Sequence, residues 1–465
     1  MAAADMDTIV SLAKRRGFIF PSSEIYGGLA NTYEYGPVGV ELKKNIIDAW
    51  WKTFIRQRED MVGIDTSIIL HPKVWEASGH VGGFSDALVD CRNCQYRKRA
   101  DHLIEEHFAA KGQEDVPVEG KSDEELDAMI QEEHILCPNC GKFAWTPVRK
   151  FNLLFETSIG IVPESESKAY LRGETAQGIF VSFKNVMDSS RVKLPFGIGQ
   201  VGKSFRNEIT LGNFIFRTME FEQGEIEYFF DPEQVDWKKL FENWQNDMWA
   251  FVTKTLGIDP EKLRWREHTD EERSFYSERT VDLDYKFPFG FKELWGLAYR
   301  TDYDLTQHME HSGKDIRVVD SSDGRKFTPH VIEPAVGLNR LLLMTLVDAY
   351  WEDTEKNRTV LKLKPALAPN KVAVFPLLKN KPELVDKARE IFRDLSADYA
   401  VAWDDRGNIG KRYLAQDEIG TPVCLTIDFQ TLEDGTVTWR DRDTAEQVRV
   451  PVTEVAGKLR ALLLE

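Results

Sequence analysis

Residues 205–208 read Phe-Arg-Asn-Glu, and residues 216–225 read Phe-Arg-Thr-Met-Glu-Phe-Glu-Gln-Gly-Glu. Both stretches alternate apolar with charged or polar side chains, and a period of two predicts extended strands. Because the side chains of a strand alternate between its two faces, a hairpin of these strands would gather arginines, carboxylates and an aromatic ring on one surface. The side chains expected on that surface are Arg206, Glu208, Arg217, Phe221, Gln223 and Glu225.

Alternating arginine and glutamate is also typical of a solvated strand face with charge pairs, so each stretch alone favours a structural role. A third stretch, residues 333–340, reads Glu-Pro-Ala-Val-Gly-Leu-Asn-Arg and precedes an apolar helix that is predicted to begin near Leu341. Together, and in this order, the three stretches favour a chemical role.

The segment Gly-Ile-Gly-Gln-Val-Gly-Lys-Ser at 197–204 matches both the P-loop pattern and the dinucleotide-binding fingerprint. Either motif needs a helix to begin at its end, because the helix N-terminus binds the phosphate. Residues 205–210 instead alternate like a strand, and Gly212 comes too soon after them for a helix to form. We therefore expect no phosphate-binding loop here, and a P-loop NTPase is a minor alternative.

Helical and strand-like periods divide the rest of the chain. Residues 5–16 are predicted as a helix that Asp7 caps and Gly17 ends. Residues 151–230 alternate in short runs, which predicts antiparallel strands, and the tryptophan-rich residues 232–256 have a helical period.

A longer helix is predicted after Pro37, and its apolar face is broad because two stripes run side by side. The two stripes are Leu42, Ile46, Trp50 and Phe54, and Ile47, Trp51 and Ile55. A face of this width is buried either in the chain's own core or against another subunit. The pattern alone favours the core.

Residues 91–145 have the character of an insertion, since two Cys-x-x-Cys pairs bracket an acidic stretch. Residues 361–369 are the best candidate for a linker, and residues 370–465 alternate strand-like with helical runs, as an α/β unit does. The predicted units are therefore a core in two parts (1–90 and 146–360), the insertion, the linker and a C-terminal domain.

Four thiols, Cys91, Cys94, Cys137 and Cys140, match the ligand set of a structural zinc site. The 42 residues between the pairs exceed the usual spacing of a zinc ribbon, so four reduced, buried cysteines stay an alternative. Cys424 lies in an apolar run and is expected in a core.

The composition is that of a globular chain, with 42% hydrophobic and 29% charged residues. Apolar runs are too short to span a membrane, the first twenty residues lack the apolar core of a signal peptide, and five cysteines favour a reducing compartment. We expect a cytoplasmic protein. The net charge of −17 does not exclude an RNA partner, because twelve acidic residues fall within residues 101–135 alone.

These stretches resemble the class II aminoacyl-tRNA synthetases, and within that class the homodimeric glycyl-tRNA synthetases. Tyr-Gly-Pro at 35–37 with the helix after it resembles motif 1, the element of the dimer interface. The strands around Arg206 and Arg217 resemble motif 2, and Gly337 to Arg340 with the next helix resembles motif 3. The glycine-specific blocks are residues 171–178 (LRGETAQG), 289–304 (FGFKELWGLAYRTDYD) and 331–337 (VIEPAVG).

The resemblance implies an α+β fold: an antiparallel β-sheet core with flanking helices, the inserted Cys-x-x-Cys subdomain, and a C-terminal α/β anticodon-binding domain. It implies that the enzyme activates glycine with ATP and Mg²⁺ and transfers it to tRNA(Gly), as a homodimer. Residues 404–413 (DDRGNIGKRY) resemble the anticodon-binding domain. The tRNA contacts expected there are Arg406, Lys411, Arg412 and Tyr413.

The implied catalytic residues are Arg206, Glu208, Arg217 and Arg340. ATP contacts are expected from these four and from Asn207, Phe216, Thr218, Met219, Glu220, Phe221, Glu293, Leu294, Gly337, Leu338 and Asn339. Glycine contacts are expected from Arg99, Glu174, Phe221, Glu222, Gln223, Gly224, Glu225, Glu333, Pro334, Ala335, Val336 and Gly337. Arginine suits phosphate because its planar fork donates two hydrogen bonds, and Glu293 is expected to bind Mg²⁺.

One position departs from the family. Ala335 stands where the family commonly has serine after the Glu-Pro pair, so one hydroxyl group near the substrate is missing. The main alternative from another functional class is a non-catalytic, synthetase-like protein that binds nucleic acid. It should lack the motif arginines and the metal carboxylate, which are all present here. A prolyl or threonyl enzyme is a further alternative that the glycine-type blocks disfavour.

Overall fold

The computed structural model describes residues 5–464 except 114–115, 117, 119–120, 161–166, 209–211, 270–272, 274–276 and 321–322. The end of the strand predicted over residues 205–210 thus lies outside the described residues. The first part of the chain contains α1 (Met6–Arg15), β1 (Ile19–Pro21), β2 (Tyr33–Tyr35), α2 (Pro37–Trp51), β3 (Met61–Gly63), α3 (Pro72–Ala77), α4 (His80–Gly83) and β4 (Ser85–Asp90).

The middle of the chain follows in two blocks. The insertion and its return contain β5 (Arg97–Arg99), α5 (Ala100–Ala110), α6 (Asp123–Glu132) and β6 (Arg149–Asn152). The second block contains β7 (Glu156–Ile159), β8 (Ser167–Tyr170), α7 (Ala176–Ser190), β9 (Phe196–Phe205), β10 (Glu220–Phe230), α8 (Trp237–Ala250), β11 (Leu263–Glu267), β12 (Arg279–Phe287), β13 (Gly290–Thr301), α9 (Tyr303–Ser312), β14 (Val318–Val319), β15 (Lys326–Phe327), β16 (His330–Gly337), α10 (Leu338–Ala349), β17 (Tyr350–Asp353) and β18 (Arg358–Leu361).

The last part of the chain contains β19 (Val372–Pro376), α11 (Pro382–Ser396), β20 (Val401–Trp403), α12 (Ile409–Ile419), β21 (Val423–Ile427), α13 (Phe429–Asp434), β22 (Thr436–Asp441), β23 (Gln447–Pro451) and α14 (Val452–Leu464). Its strands form a five-stranded sheet in the order β20-β19-β21-β22-β23, with β19 parallel to both of its neighbours. The prediction of a C-terminal α/β unit is confirmed, and Cys424 is buried as expected.

A seven-stranded sheet in the order β11-β12-β13-β16-β10-β9-β3 forms the centre of the first two parts. Its strand pairs are antiparallel except for β3 with β9. The glycine-rich segment 197–204 lies inside β9 as an ordinary strand, so the expected absence of a phosphate-binding loop is confirmed. Residues 151–230 form antiparallel strands as predicted, but they also include the helix α7, which was not predicted. The helix predicted near Leu341 is present as α10 and begins three residues earlier, at Leu338.

The two faces of the central sheet have different roles, and β10 shows the division. Ile226 and Tyr228 belong to the largest hydrophobic core, which also contains side chains of α2, α8 and α10. Phe229, on the opposite face, packs on Phe183 of α7 with ring centroids 4.4 Å apart. Gly224 faces the α2 side, where a Cβ would lie 3.0 Å from the Trp50 ring. The α7 side is therefore the face that is left for a site.

The helix predicted after Pro37 is confirmed as α2, which continues as one π-helical turn over Lys52–Arg56. Its first stripe (Leu42, Ile46, Trp50, Phe54) is at most 1% exposed within a single chain. Of the two alternatives, burial in the chain's own core is confirmed for this stripe, because the chain's own sheet and helices already cover it. At the N-terminus the cap of α1 is Asp5 and not Asp7, because the Asp5 carboxylate accepts a hydrogen bond from the Thr8 amide at 2.8 Å.

The insertion has a small core of its own. Strands β5, β4 and β6 form a three-stranded sheet, and α5 and α6 pack against it around Ile104 and Ile130. A capping box formed by Ser122 and Glu125 begins α6. The sheet extends from Ser85 to Asn152 and so beyond the predicted limits of the insertion.

A buried ion network joins the core to the C-terminal domain. The hairpin β17–β18 places Arg358 against α12, where its Nη1 donates to Asp417 at 3.0 Å. Asp417 also accepts two hydrogen bonds from Arg440, at 2.7 and 2.8 Å, and has no exposed surface. The hairpin comes before the linker in the chain. The core therefore contacts the C-terminal domain directly as well as through the linker.

Asp417→Asn should therefore destabilise the C-terminal domain by about 3 kcal/mol, since removal of one partner leaves buried charges without a counter-charge. Scanning calorimetry of the full chain should show a lower melting temperature for the transition of that domain. Glu390→Gln is the matched control, because Glu390 pairs with Lys387 on the surface and such pairs contribute under about 1 kcal/mol. Equal melting temperatures for the two variants would contradict this assignment of the network.

Candidate active site

A cavity of about 220 Å³ opens on the α7 side of the central sheet. Strands β10, β13 and β16 form its floor, and the connection between β9 and β10 with the start of α10 forms its rim. The lining residues are Glu174, Arg206, Glu208, Phe216, Arg217, Thr218, Phe221, Gln223, Glu225, Glu293, Gly296, Arg300, Glu333, Ala335, Val336, Gly337, Asn339 and Arg340. All of these except Gly296 and Arg300 were predicted from the sequence.

Three arginines form the basic half of the cavity. Arg206 lies between two aromatic rings, 5.0 Å from the Phe84 centroid and 5.4 Å from that of Phe221, and its Nε donates to the Gly173 carbonyl at 3.0 Å. Arg340 lies 4.4 Å from the centroid of the Phe216 ring. These contacts fix the planes of the guanidinium groups, so the groups are oriented before any ligand binds.

The basic half lacks enough negative charge to balance it. Burial lowers the pKa of Arg217, and the positive charge of the neighbouring Arg340 lowers it further. The Glu208 carboxylate, 3.8 Å from the Arg217 guanidinium group, raises this pKa but does not outweigh the two other effects. Arg340 pairs with Glu293 at 3.1 Å, and this pairing lowers the pKa of Glu293. Clustered guanidinium groups in a partly buried cavity favour an anion with several oxygens, such as a phosphate chain.

The strand assignment of the motif arginines needs a correction. Strand β9 ends at Phe205 and β10 begins at Glu220, so Arg206, Glu208 and Arg217 lie in the connection and not on strand faces. They still reach the cavity, because the connection folds over its rim. Only Phe221, Gln223 and Glu225 share a face through strand alternation, as expected.

The acidic half of the cavity contains Glu174, Glu225 and Glu333, all at least nine-tenths buried. Arg300 donates to Glu333 at 2.9 Å and to both oxygens of Asp304, at 2.8 and 2.9 Å. Because one guanidinium group is shared between two carboxylates, the negative charge of this half is only partly balanced.

Hydrogen bonds from neighbouring side chains orient these carboxylates. Gln177 donates to Glu174 at 3.0 Å, and His80 lies 3.3 Å from the other oxygen of Glu174. The Thr175 amide donates to Glu225 at 2.7 Å, and Gln223 donates to its second oxygen at 2.8 Å. The carboxylates are thus held in one arrangement.

The pKa values differ within the acidic half. Burial raises the pKa of Glu174, but His80 and Arg300 outweigh it and hold that pKa well below its usual value. Burial raises the pKa of Glu333 to about 8, and Glu225 and Glu174 add to the shift against the effect of Arg300. Burial and the charge of Glu174 also raise the pKa of Glu225. A small cation such as an ammonium group would relieve this crowding of carboxylates.

Sequence reasoning missed five residues of this half: Arg300, Asp304, Gln177, Thr175 and His80. All of these except His80 lie inside the glycine-type blocks 171–178 and 289–304. The blocks therefore indicated the right segments of the chain, but not which of their residues line the site. His80 carried no signal in the sequence, because it reaches Glu174 from the separate helix α4.

Several predicted contacts lie outside the cavity lining, and strand alternation explains most of them. Glu222 and Gly224 face α2, where Glu222 pairs with Lys43 at 2.7 Å. Glu220 pairs with Lys203 on the surface. Leu294 and Leu338 are buried in the main core. Asn207, Met219 and Pro334 also fall outside the lining.

Arg99 lies on the insertion and pairs with Asp86 at 3.1 Å and with Asp101. Arg99 is outside the cavity lining. Burial lowers its pKa, but the negative charges of Asp101, Asp86 and Glu208 outweigh burial and raise the pKa above its usual value. The insertion therefore sets charged groups beside the rim of the cavity.

The four predicted cysteine ligands come together. The sulfur atoms of Cys91, Cys94, Cys137 and Cys140 all lie within 4.8 Å of one another. Hydrogen bonds from the Asn139 side chain and the Tyr96 backbone lower the pKa of Cys94 to about 6, whereas burial raises the pKa of Cys137 to about 12. A set of four sulfur donors at this separation fits a tetrahedral metal ion.

The predicted tRNA cluster, in α12 and the loop before it, is divided by the structure. Arg406 and Lys411 are exposed. Arg412 is 2% exposed and donates to the carbonyl groups of Pro376 and Gly407, at 2.6 and 3.1 Å. Tyr413 is buried, with its hydroxyl at 2.6 Å from that of Thr426. Arg412 and Tyr413 therefore hold the fold of the loop and do not present a guanidinium group or a ring to RNA.

Comparison with known proteins identifies both parts of the chain. Residues 155–349 match the family described as "tRNA synthetase class II core domain (G, H, P, S and T)", and residues 371–462 match "Anticodon binding domain". The glycine–tRNA ligase of Clostridium perfringens is 53% identical over 97% of both chains. Those of Clostridium tetani and Caldanaerobacter subterraneus are also 53% identical, over 97% of this chain and 96% of theirs.

Glu227, on β10 below Glu225, gives a test of the charge balance. It has no exposed surface, and both of its oxygens lack a hydrogen-bond partner among the described residues. Burial, with Glu333 adding to it, raises its pKa well above 4.5. Above pH 4.5 the group loses its proton in the unfolded chain but keeps it in the folded chain. The free energy of unfolding should therefore fall as the pH rises from 4.5 towards the folded pKa.

Glu227→Gln should remove this pH dependence and raise the melting temperature at pH 8 but not at pH 4.5, since each unit of pKa elevation corresponds to about 1.4 kcal/mol. Thermal unfolding of both proteins across this pH range measures the effect. The exposed Glu242→Gln should leave the profile of the parent protein unchanged. A constant difference between parent and Glu227→Gln at all pH values would show that Glu227 is ionised in the folded chain.

Proposed function

The chain belongs to the glycine–tRNA ligases, and on that premise we propose how its cavity forms glycyl-adenylate. The reaction joins the glycine carboxylate to the α-phosphate of ATP, releases pyrophosphate, and then transfers glycine to the 3′ end of tRNA(Gly). Its difficulty is that two anions must meet. A site for it needs positive charge at the reacting groups and a separate place for the ammonium group of glycine.

One observation carries the proposal: a single cavity of about 220 Å³ has an excess of arginine in one half, with three arginines and two glutamates, and an excess of carboxylate in the other, with three glutamates and one arginine. We place the phosphates of ATP in the basic half and the glycine ammonium in the acidic half. Arg206, which lies beside Phe221 and whose charge acts on Glu225 in the acidic half, would bind the α-phosphate and the glycine carboxylate together. Arg217 and Arg340 would bind the outer phosphates.

The adenine ring would stack on Phe221, with Arg340 on its other side. Both line the cavity, and neither is fully buried. Glu293 and Glu208 supply the carboxylate oxygens that Mg²⁺ prefers beside phosphate oxygens, so the residues fit this ion. When bound, the ion would neutralise charge on the phosphates, while the arginines orient them.

Glu174, Glu225 and Glu333 would bind the glycine ammonium. Their hydrogen bonds to Gln177, Thr175 and Arg300 leave little freedom to move aside, so a larger amino acid would meet fixed polar groups. Exclusion by volume suffices for glycine because no smaller amino acid competes with it. With Ala335 on the floor, the pocket binds glycine through carboxylates and without a hydroxyl group at this position.

The alternative of a non-catalytic relative loses its basis, because each motif arginine and Glu293 line the same cavity.

For tRNA, we propose that the exposed Arg406 and Lys411 take part in binding the anticodon, while the buried ion network around Asp417 holds the domain at a defined place relative to the core. The guanidinium plane of an exposed arginine can itself stack on an unpaired RNA base.

We also propose a homodimer, on different residues from those first expected. The turn between β1 and β2 leaves Ile25, Tyr26 and Leu29 exposed by 88%, 87% and 59% in the single chain. Large apolar side chains this exposed are typical of surfaces that a partner covers. The turn directly precedes α2, the helix of motif 1.

A structural zinc ion in the insertion is the remaining part of the proposal. The four sulfur atoms fit its tetrahedral geometry, and the ion would hold the two ends of the insertion together.

The free thiols, with none of the five cysteines in a disulfide, suit the reducing cytoplasm that we propose as the location. Among the described helices, none is both long and apolar enough to cross a membrane.

The activity is tested by glycine-dependent exchange of pyrophosphate into ATP. Arg217→Ala should lower kcat/KM in this exchange by about 10²- to 10³-fold, as the loss of a charge-stabilising donor does, and Arg217→Lys should recover part of it. Arg56→Ala, which changes an exposed arginine outside the cavity, is the control. Exchange that depends on proline or threonine and not on glycine would contradict the proposal, as would full activity of Arg217→Ala.

Elemental analysis of protein purified without chelator should find about one zinc per chain. Cys137→Ser should lose most of it and melt at a lower temperature, because the ion contributes to folding of the insertion. Cys424→Ala is the matched control, since Cys424 is a buried thiol in another domain and should leave the zinc content unchanged. Zinc well below one per chain in the parent protein would refute the site.

A further inference from the structure

A second cavity lies behind the acidic half of the active site, between α3, α7 and α9. Its volume is about 520 Å³, compared with about 220 Å³ for the first cavity. Val74 from α3, Val181 from α7 and Ile316 after α9 give it an apolar wall, and Val181 is 39% exposed there. This size lies within the range of about 300 to 1,000 Å³ that is typical of small-molecule sites.

The polar lining of the second cavity is mainly basic. Lys73, Lys184 and Lys314 line it, and of these Lys184 pairs with Asp188 at 2.6 Å. The one carboxylate of the lining, Asp315, is bound by Arg317 at 3.1 Å and by Lys326. Within the described part of the chain, no carboxylate pairs with the ammonium group of Lys73 or Lys314. An excess of positive charge beside an apolar wall suits a small organic anion.

A hydrogen-bonded chain connects this cavity with the active site. His308 lines the second cavity, and its Nε2 lies 2.9 Å from Oε1 of Gln177. The amide nitrogen of Gln177 donates to Glu174 at 3.0 Å and to Asp304 at 2.9 Å. Because that amide uses its nitrogen for both carboxylates, its oxygen accepts, and Nε2 of His308 must carry the hydrogen.

We propose that the cavity between α3, α7 and α9 is a second ligand site, which takes a small organic anion and is coupled to glycine binding through His308 and Gln177. The anion lies against the lysines with its apolar part on Val74, Val181 and Ile316. A negative charge beside His308 favours the protonated imidazole, and that positive charge weakens the attraction of Glu174 for the glycine ammonium. The coupling rests on the proposed role of Glu174, whereas the anion site itself does not.

The first experiment tests binding, with the aromatic sulfonate 1-anilinonaphthalene-8-sulfonate as the probe. The full chain is titrated by fluorescence with ATP present at saturation and glycine absent, so that the adenine site is occupied. We expect saturable binding of one probe per chain and an affinity at least tenfold lower in Lys73→Glu/Lys314→Glu. The double variant Lys239→Glu/Lys254→Glu makes the same charge change at exposed lysines outside both cavities and should bind as the parent does.

Either of two results would overturn the anion site: no saturable binding to the parent chain, or the same affinity in both double variants. Circular dichroism and pyrophosphate exchange of both variants, measured without probe, show that they fold and act alike.

The second experiment tests the coupling. At saturating probe, the KM for glycine in pyrophosphate exchange should rise at least threefold in the parent and stay unchanged in Lys73→Glu/Lys314→Glu. An unchanged KM in the parent, with the probe bound, would overturn the coupling. Failure of glycine to support exchange at all is a different result, since it would contradict the proposed function while the binding experiment still decides the anion site.

Discussion

The ion pairs of the buried Arg300 hold the acidic half of the active site together. Three glutamates and Asp304 converge in a space with almost no solvent, and carboxylates in such a place become protonated or move apart unless a cation binds them. Arg300 binds Asp304 through two nitrogens and Glu333 through the third. Arg300 neutralises part of the negative charge, which allows the carboxylates to be buried together. The negative charge that remains favours the binding of an ammonium group.

The central sheet separates this polar chemistry from the apolar core by strand alternation alone. Along β10, Tyr228 packs in the core with the helices α2, α8 and α10, while Phe221 and Glu225 face the cavity. At the usual rise of a strand, Phe221 and Glu225 lie about 13 Å apart along it. The adenine-binding and ammonium-binding ends of the site are thus two positions of one rigid strand, and the arginines come from the connection at its beginning.

Much of this arrangement can be predicted from the sequence, and the limits have physical causes. Alternation placed Gln223 and Glu225 correctly, but it gave no sign that the strand starts only at Glu220, so Arg217 was assigned to a strand face. Arg300 and Asp304 meet across the junction of β13 with α9, a contact that no short period encodes. The burial of Arg412 depends on Pro376, a distant residue in the chain, whose carbonyl its guanidinium binds.

The central claim is that fixed carboxylates and Arg206 bind one small amino acid joined to AMP. It is tested most directly by the dissociation constants of the sulfamoyl analogues of glycyl-adenylate and alanyl-adenylate, measured by calorimetry on the full chain. The two ligands differ by one methyl group, and the pocket should bind the glycyl analogue at least about 100-fold more tightly, near the upper end of what one such group contributes. Equal affinity for both analogues would contradict a pocket that selects glycine by volume.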